Sequence, residues 1–169
     1  MNRPKLSQAT RPPTFDIDAI NERGEIVPTA IAGEHPLTIY VDKREIVTLM
    51  TLGAAPEALT LGYLRNQRLI AKLDEIASVQ VDWEVDAVAV TTHNGNGVTA
   101  NRMDKRTVTT GCGQGTVFGD LMAEIDDLEL PPDASLSEAT LYGLLESVRH
   151  HESIYKQAGA VHGCALAAG

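Results

Sequence analysis

The sequence predicts a mixed α/β (α+β) fold, an N-terminal β-rich portion followed by the start of an α/β core. Three observations carry that reading. Short β-branched runs separated by turn residues dominate residues 25–92. Two later stretches carry apolar residues at helical spacing. The core must be aliphatic, because 43% of the residues are hydrophobic while only 4% are aromatic. A chain of 169 residues has room for one average domain or two small ones.

The elements follow in chain order. Residues 1–20 are expected to be a disordered tail, since Pro4, Pro12 and Pro13 interrupt them and apolar residues are sparse. "EIVPTAIA", "PLTIYVD" and "REIVTLMT" then read as strands, with Gly33, Pro36 and Asp42 between them, and "VDKRE" fits a tight hairpin. Pro56 suits the first position of a helix, and Glu57 favours the positive end of its dipole. Leu59, Tyr63 and Leu64 continue that helix. "SVQVDW" and "DAVAVTT" return to strand character, "HNGNG" is a turn, and "RTVTT" is a strand that feeds a glycine loop.

Beyond the loop, Phe118, Leu121, Met122 and Ile125 mark one apolar helical face. "LPPDAS" is a linker, and Ser135 with Glu138 has capping-box spacing. Leu141, Leu144, Leu145 and Val148 mark a second helix. "GAVHGCALAAG" is small and apolar and is expected to be a buried strand. The expected organisation is a tail over 1–20, a β-rich region over 21–110, and a third region over 111–169. That third region holds the cysteine loop, the helices and the first strand of an incomplete α/β core.

Charge and composition exclude several functions. With 14 Lys+Arg against 23 Asp+Glu, the net charge is -9, which disfavours nucleic-acid binding by phosphate neutralisation. No apolar run approaches the ~20 residues of a membrane span. The basic start "MNRPKLSQATRPPTF" lacks the apolar segment of a signal peptide. Two cysteines do not make a disulfide framework, so the expected compartment is cytoplasmic.

The chemistry concentrates in "TTGCGQGT", residues 109–116. Gly111, Gly113 and Gly115 let another molecule approach the backbone and leave the Cys112 sulfur unshielded. A helix starting near Thr116 would bring N–H groups close to that sulfur, lowering the thiol pKa and populating the nucleophilic thiolate. The competing reading is a glycine-rich turn around an inert cysteine. The loop lacks the Lys-Ser/Thr ending of a P-loop, and Gly115 stands where a zinc C-x-x-C would need its second cysteine. Upstream, Arg102, Lys105 and Arg106 offer positive charge to an anionic ligand; their ordinary role is a solvated strand edge. Among the histidines, His150 and His151 diverge on a helix, His93 sits in a turn, and His162 precedes Cys164 by two positions. His162 is read as a structural or ligand-contacting residue in preference to a zinc ligand beside Cys112 and Cys164, and no metal is expected. The His-x-Glu and Pro-Cys-x-x-Cys signature of zinc deaminases is absent.

Three stretches in this order carry a family resemblance. "HPLTIYVDKREIVTLMTLGAAPEALTLGYLRNQRLI", "TTGCGQG" and "YKQAGAVHGCALA" resemble the N-terminal signature, the cysteine loop and the Gly-Gly-Val-His-Ala-Ala segment of the FdhD family. These are formate dehydrogenase accessory sulfurtransferases, and the resemblance runs from about residue 25 to 169. It implies a cytidine-deaminase-like fold and a homodimer. It also implies a sulfur carrier that takes persulfide sulfur from a cysteine desulfurase and passes it to the molybdenum bis-guanine-dinucleotide cofactor, for formate dehydrogenase. Cys112 then bears the persulfide. Gly111, Gly113, Gly115, Arg106, Gly159 and His162 then belong to cofactor binding. The rival expectations are a non-catalytic module that holds cofactor or formate dehydrogenase, and a metal-dependent deaminase-like hydrolase. Two departures stand out. Cys-Gly-Gln-Gly replaces the common Cys-Gly-x-Cys-Gly, so a two-cysteine relay within the loop is impossible. The family also extends past the point matching "CALAAG", so the chain is expected to correspond to an N-terminal portion.

Overall fold

The computed structural model describes residues 3–95 and 128–167. The chain divides into two compact units, Met1–Pro12 with Glu34–Asp126, and Pro13–Gly33 with Asp127–Gly169. The fold is mixed α+β with a five-stranded sheet and few helices among the described residues.

The first unit holds that sheet. Its strands are β1 (Lys5–Leu6), β4 (His35–Val41), β5 (Arg44–Thr51), β6 (Ile76–Asp82) and β7 (Ala87–Thr92), in the order β1-β6-β7-β4-β5. β4 and β5 pair antiparallel, as do β6 and β7, while β7 pairs parallel with β4 and β1 with β6. In β4, alternation sends Leu37, Ile39 and Val41 into the core and leaves Thr38 and Tyr40 on the other face. Val88 and Val90 of β7 do the same beside them. Two irregularities refine the pattern. The register of β4 on β5 shifts between Ile39 and Tyr40, so the adjacent residues Ile46 and Val47 are both buried. A second shift, between Ile76 and Ser78, lets Ile76 and Val79 reach the same core although they are three positions apart.

The "VDKRE" hairpin forms as expected. Its central residues, Asp42 (φ 45°) and Lys43 (φ 71°), are both left-handed, as in a type I′ turn. The Asp42 carboxylate then accepts from the Thr92 N–H at 2.9 Å and the Thr92 hydroxyl at 2.6 Å. That ties the tip of the hairpin to the end of β7.

Helix α1 (Pro56–Asn66) packs on β6 and sends the fully buried Leu64 into the core. Pro56 stands at its start, and Arg65 favours the negative end of its dipole. Thr60 is buried too, and its hydroxyl donates to the Pro56 carbonyl at 2.8 Å. The chain then passes through a short 3-10 turn (Leu73–Glu75) into β6.

The tail expected over residues 1–20 instead contains β1 and β2. β2 pairs with β3, and residues 5–11 are held by hydrogen bonding rather than hydrophobicity. Glu57 is only 6% exposed, and its carboxylate accepts from the Ser7 hydroxyl and the Ala9 N–H, both at 2.7 Å. The Trp83 indole N–H donates to the Ala9 carbonyl at 2.6 Å, and the Arg11 guanidinium lies 4.7 Å from the indole centre. A sparse apolar sequence is thus held by polar anchors placed elsewhere in the unit.

The second unit contains the hairpin β2 (Thr14–Ile20) and β3 (Ile26–Ala32), then α2 (Glu138–His150) and α3 (Ile154–Ala158). Asn21 shapes the hairpin turn, its side-chain oxygen accepting from the N–H groups of Arg23 and Glu25 at 2.9 Å each. Phe15 pairs with Ile31 and Ala19 with Val27, and α3 packs against both strands. Helix α2 starts two residues later than the capping-box pattern suggests. Its cap is Ser137, whose hydroxyl accepts from the Thr140 N–H at 3.1 Å, and Glu138 is the first helical residue.

The pH dependence of stability follows from Glu57. Burial pushes its carboxyl up, but hydrogen bonds from the Ala9 N–H, the Ser7 hydroxyl and the backbone of Glu57 and Gln8 outweigh burial and hold it below the usual value of 4.5. A folded-state value below the unfolded one stabilises the protein fully above the unfolded value. That stability is lost as pH falls through the folded value. Glu57→Gln is expected to cost about 1–3 kcal/mol at neutral pH and to flatten the acid limb of a urea-denaturation series. An unchanged acid limb would assign the pH dependence to other carboxylates.

Candidate functional site

Of the residues the sequence singles out, Cys112, Gly111, Gly113, Gly115 and Arg106 lie outside the described residues, as do Arg102 and Lys105. Gly159 and His162 are described, and both belong to the second unit.

Their positions are built by the end of α2 and by α3. Arg149 and His150 close α2, where cations suit the negative end of the dipole. The His150 ring is held on its own helix, with Nδ1 2.9 Å from the Glu146 carbonyl and 3.3 Å from the Glu146 carboxylate. Helix α3 ends at Gly159, whose N–H donates to the Tyr155 carbonyl at 2.9 Å. Gly159 has φ 62° and ψ -162°, a conformation essentially reserved for glycine. A glycine is required here by the backbone, whatever else it contacts. Ala160 follows at φ 53°, and the chain then runs on without regular structure through residue 167.

That course corrects one expectation. "GAVHGCALAAG" is read from sequence as a buried strand, yet residues 159–167 form no strand, and residues 162–167 are exposed. Small apolar residues favour burial only where a layer exists to receive them. Among the described residues no strand pairs with this segment, and Leu166 is fully exposed. Cys164, expected to be shielded, is an exposed free thiol.

The structure brings His162 and Cys164 together as lining of one open groove of about 930 Å³, with Val148, Tyr155, Lys156 and Leu166. Arg149 and His151 also line it, so four basic side chains surround a mainly apolar trough. Sequence spacing relates His162 and Cys164 as alternate residues of a strand; the groove holds both although that strand does not form. Spacing does not find Lys156 and Arg149, which arrive through the turn between α2 and α3. Lys156 is also 3.7 Å from the Glu152 carboxylate, an exposed pair of little energetic weight. Among the described residues, no group of three or more His, Cys, Asp or Glu side chains is placed to hold a metal ion.

A family model described as FdhD/NarQ family matches residues 32–169. The chain belongs to the FdhD/NarQ family. The matched span includes "TTGCGQGT" and the Gly159–Cys164 segment, and it excludes β1 and β2. Among curated FdhD relatives, the sulfur carrier protein FdhD of Listeria monocytogenes is 26% identical over 142 residues, covering 83% of this chain and 54% of that protein. The sulfur carrier protein FdhD of Bacillus subtilis is 25% identical over 153 residues, covering 86% of this chain and 56% of its own length. The chain therefore spans about half the length of the curated FdhD proteins it matches. A solved structure described as a formate dehydrogenase accessory protein, from Desulfotalea psychrophila, is 24% identical with a TM-score of 0.41. It covers 48% of this chain and 35% of that one, a likeness too loose to assign the fold.

Exposure of Cys164 has a direct consequence. In a Cys112→Ser protein under native conditions, Cys164 is expected to react with iodoacetamide at the rate of an ordinary accessible thiol, within about threefold of a small-thiol standard. Reaction only after denaturant is added would show that the segment around Cys164 is shielded in solution.

Proposed function

We propose that this chain acts as an FdhD-type sulfur carrier, with Cys112 as the carrier thiol. The observation that carries the proposal is the single cysteine set among glycines in "TTGCGQGT", inside the stretch that the family model matches. The family's curated members are named sulfur carriers.

The chemistry of the receiving step needs one thiolate. Cys112 attacks the outer sulfur of a persulfide on a cysteine desulfurase. The sulfur–sulfur bond in the desulfurase breaks, its cysteine leaves as thiolate, and Cys112 carries the persulfide. No external oxidant or reductant is consumed. The flanking glycines leave room for a desulfurase first and a bulky pterin second. The acceptor is the molybdenum bis-guanine-dinucleotide cofactor, as substrate, destined for formate dehydrogenase. Arg106 with Arg102 and Lys105 supplies charge for its pyrophosphates. By the family resemblance, Gly159 and His162 also belong to cofactor binding. The complete carrier adopts the cytidine-deaminase-like fold, forms a homodimer and works in the cytoplasm. Among the described residues, no helix is long and apolar enough to cross a membrane.

A non-catalytic reading, a module that holds cofactor or formate dehydrogenase without moving sulfur, draws on the loop sequence Cys-Gly-Gln-Gly. That sequence offers no second thiol for an internal relay. The two readings separate at the persulfide.

Incubation with a cysteine desulfurase and cysteine, followed by intact-mass analysis, is expected to add one sulfur to the wild-type chain and to Cys164→Ser, but none to Cys112→Ser. Sulfur gained by Cys112→Ser and lost by Cys164→Ser would move the site to the exposed thiol of the groove. For the cofactor step, replacing Arg102, Arg106 and Lys105 together by Ala should weaken guanine-nucleotide binding about tenfold or more, and wild-type binding should fall as salt rises. Equal binding by both proteins would return the three residues to the solvated surface.

A further inference from the structure

Residues 5–11 are held to the first unit by more than their short ladder. β1 pairs with β6 through Lys5 and Leu6 alone. Beyond it, the Ser7 N–H donates to the Val79 carbonyl at 3.1 Å, and the Val81 N–H donates to the Ser7 hydroxyl oxygen at 3.0 Å. Gln8 takes φ 58°, a turn that aims the Ser7 hydroxyl and the Ala9 N–H at the same oxygen of Glu57. Trp83 then reads the Ala9 carbonyl, and its ring faces the Arg11 cation. The Arg11 N–H finishes the run on the Gly53 carbonyl at 2.8 Å.

These contacts make up a receptor for an extended segment. It offers a strand edge for backbone groups, a buried carboxylate for a hydroxyl and an N–H, and an indole for a carbonyl and a cation. We propose that the β6 edge with Glu57 and Trp83 is a strand-docking site, filled here by this chain's own residues 5–11 and able to take the same segment from a second copy.

Four points support exchange. The receptor residues Glu57, Val79, Val81 and Trp83 lie inside the span matched by the family model, whereas residues 5–11 lie outside it. The segment is joined to β2 through Pro12 and Pro13, and the boundary between the two compact units falls between those residues. A second copy carries the same groups in the same order, so exchange replaces each contact with an identical one. Lys5 and Leu6 are exposed, so little apolar burial opposes release.

The test uses the full chain and a fluorescent peptide of residues 3–12. In the wild type the internal segment competes, and the apparent peptide affinity is the intrinsic affinity multiplied by the fraction of sites left open. Ser7→Asp sets a second carboxylate against Glu57 and loosens the internal segment. That variant is expected to bind the wild-type peptide at least about tenfold more tightly than the wild-type chain does. Ser7→Ala, the milder change, is expected to shift binding in the same direction. Adding Glu57→Gln to either variant is expected to weaken binding about tenfold. A folded Ser7→Asp or Ser7→Ala chain that binds the peptide no better than the wild type overturns the proposal. So does binding that survives Glu57→Gln unchanged.

Discussion

A carboxylate in the first turn of a helix usually faces water and is helped modestly by the dipole. Glu57 instead lies beneath residues 7–9, where its ionised form is stabilised by N–H and O–H donors from a segment distant in sequence. The course of the N-terminal segment in the first unit depends on this one constraint. It fixes that segment against β6 and so completes the edge of the sheet, whose order runs on to β7 and β4. Removing one partner would leave a charge with little solvent and one donor fewer, which costs more than the bond itself contributes. Apolar packing supplies most of the stability, from Leu37, Ile39, Val41, Val88 and Val90, but it does not decide where residues 5–11 lie.

The sequence made the sheet readable wherever side chains alternate or glycine, proline and aspartate mark turns. β3, β4, β5, β6, β7 and α1 all fall where β-branched runs and Pro56 place them. The Asp42–Lys43 turn was readable because so short a connection between two such runs leaves few other geometries. The N-terminal segment was not readable. Its placement rests on Ser7 and Ala9 meeting Glu57 and Trp83 across some 50 to 75 positions, and no local pattern records such pairings. Burial of Glu57 was hidden for the same reason, because at the start of a helix a glutamate already has a sufficient local explanation.

The candidate functional residues divide in the same manner. Glycine around Cys112 is a local signal, and so is the need for glycine at position 159, which the left-handed backbone explains. The exposure of Cys164 ran against a local signal. "HGCALAAG" has the composition of a core strand, but composition cannot tell whether a neighbouring layer is there to cover it. Lys156 and Arg149 join His162 at one groove across the short link, residues 151–153, between α2 and α3. Family membership therefore rests on ordered motifs spread over most of the chain, while the proposed chemistry rests on one glycine-flanked cysteine whose neighbours in space are not legible from the residues around it.

A carrier differs from a holder in that its sulfur leaves. Cysteine labelled in its sulfur, a cysteine desulfurase and this protein would load the label, and excess cysteine would then be removed. Molybdenum bis-guanine-dinucleotide cofactor would follow, with a thiol reductant to supply the electrons that turn persulfide sulfur into sulfide. The account predicts that label disappears from Cys112 and appears on the cofactor, at a rate that depends on the cofactor rather than on the reductant alone. Label that stays on the protein, or that leaves equally fast as free sulfide when no cofactor is present, would contradict it.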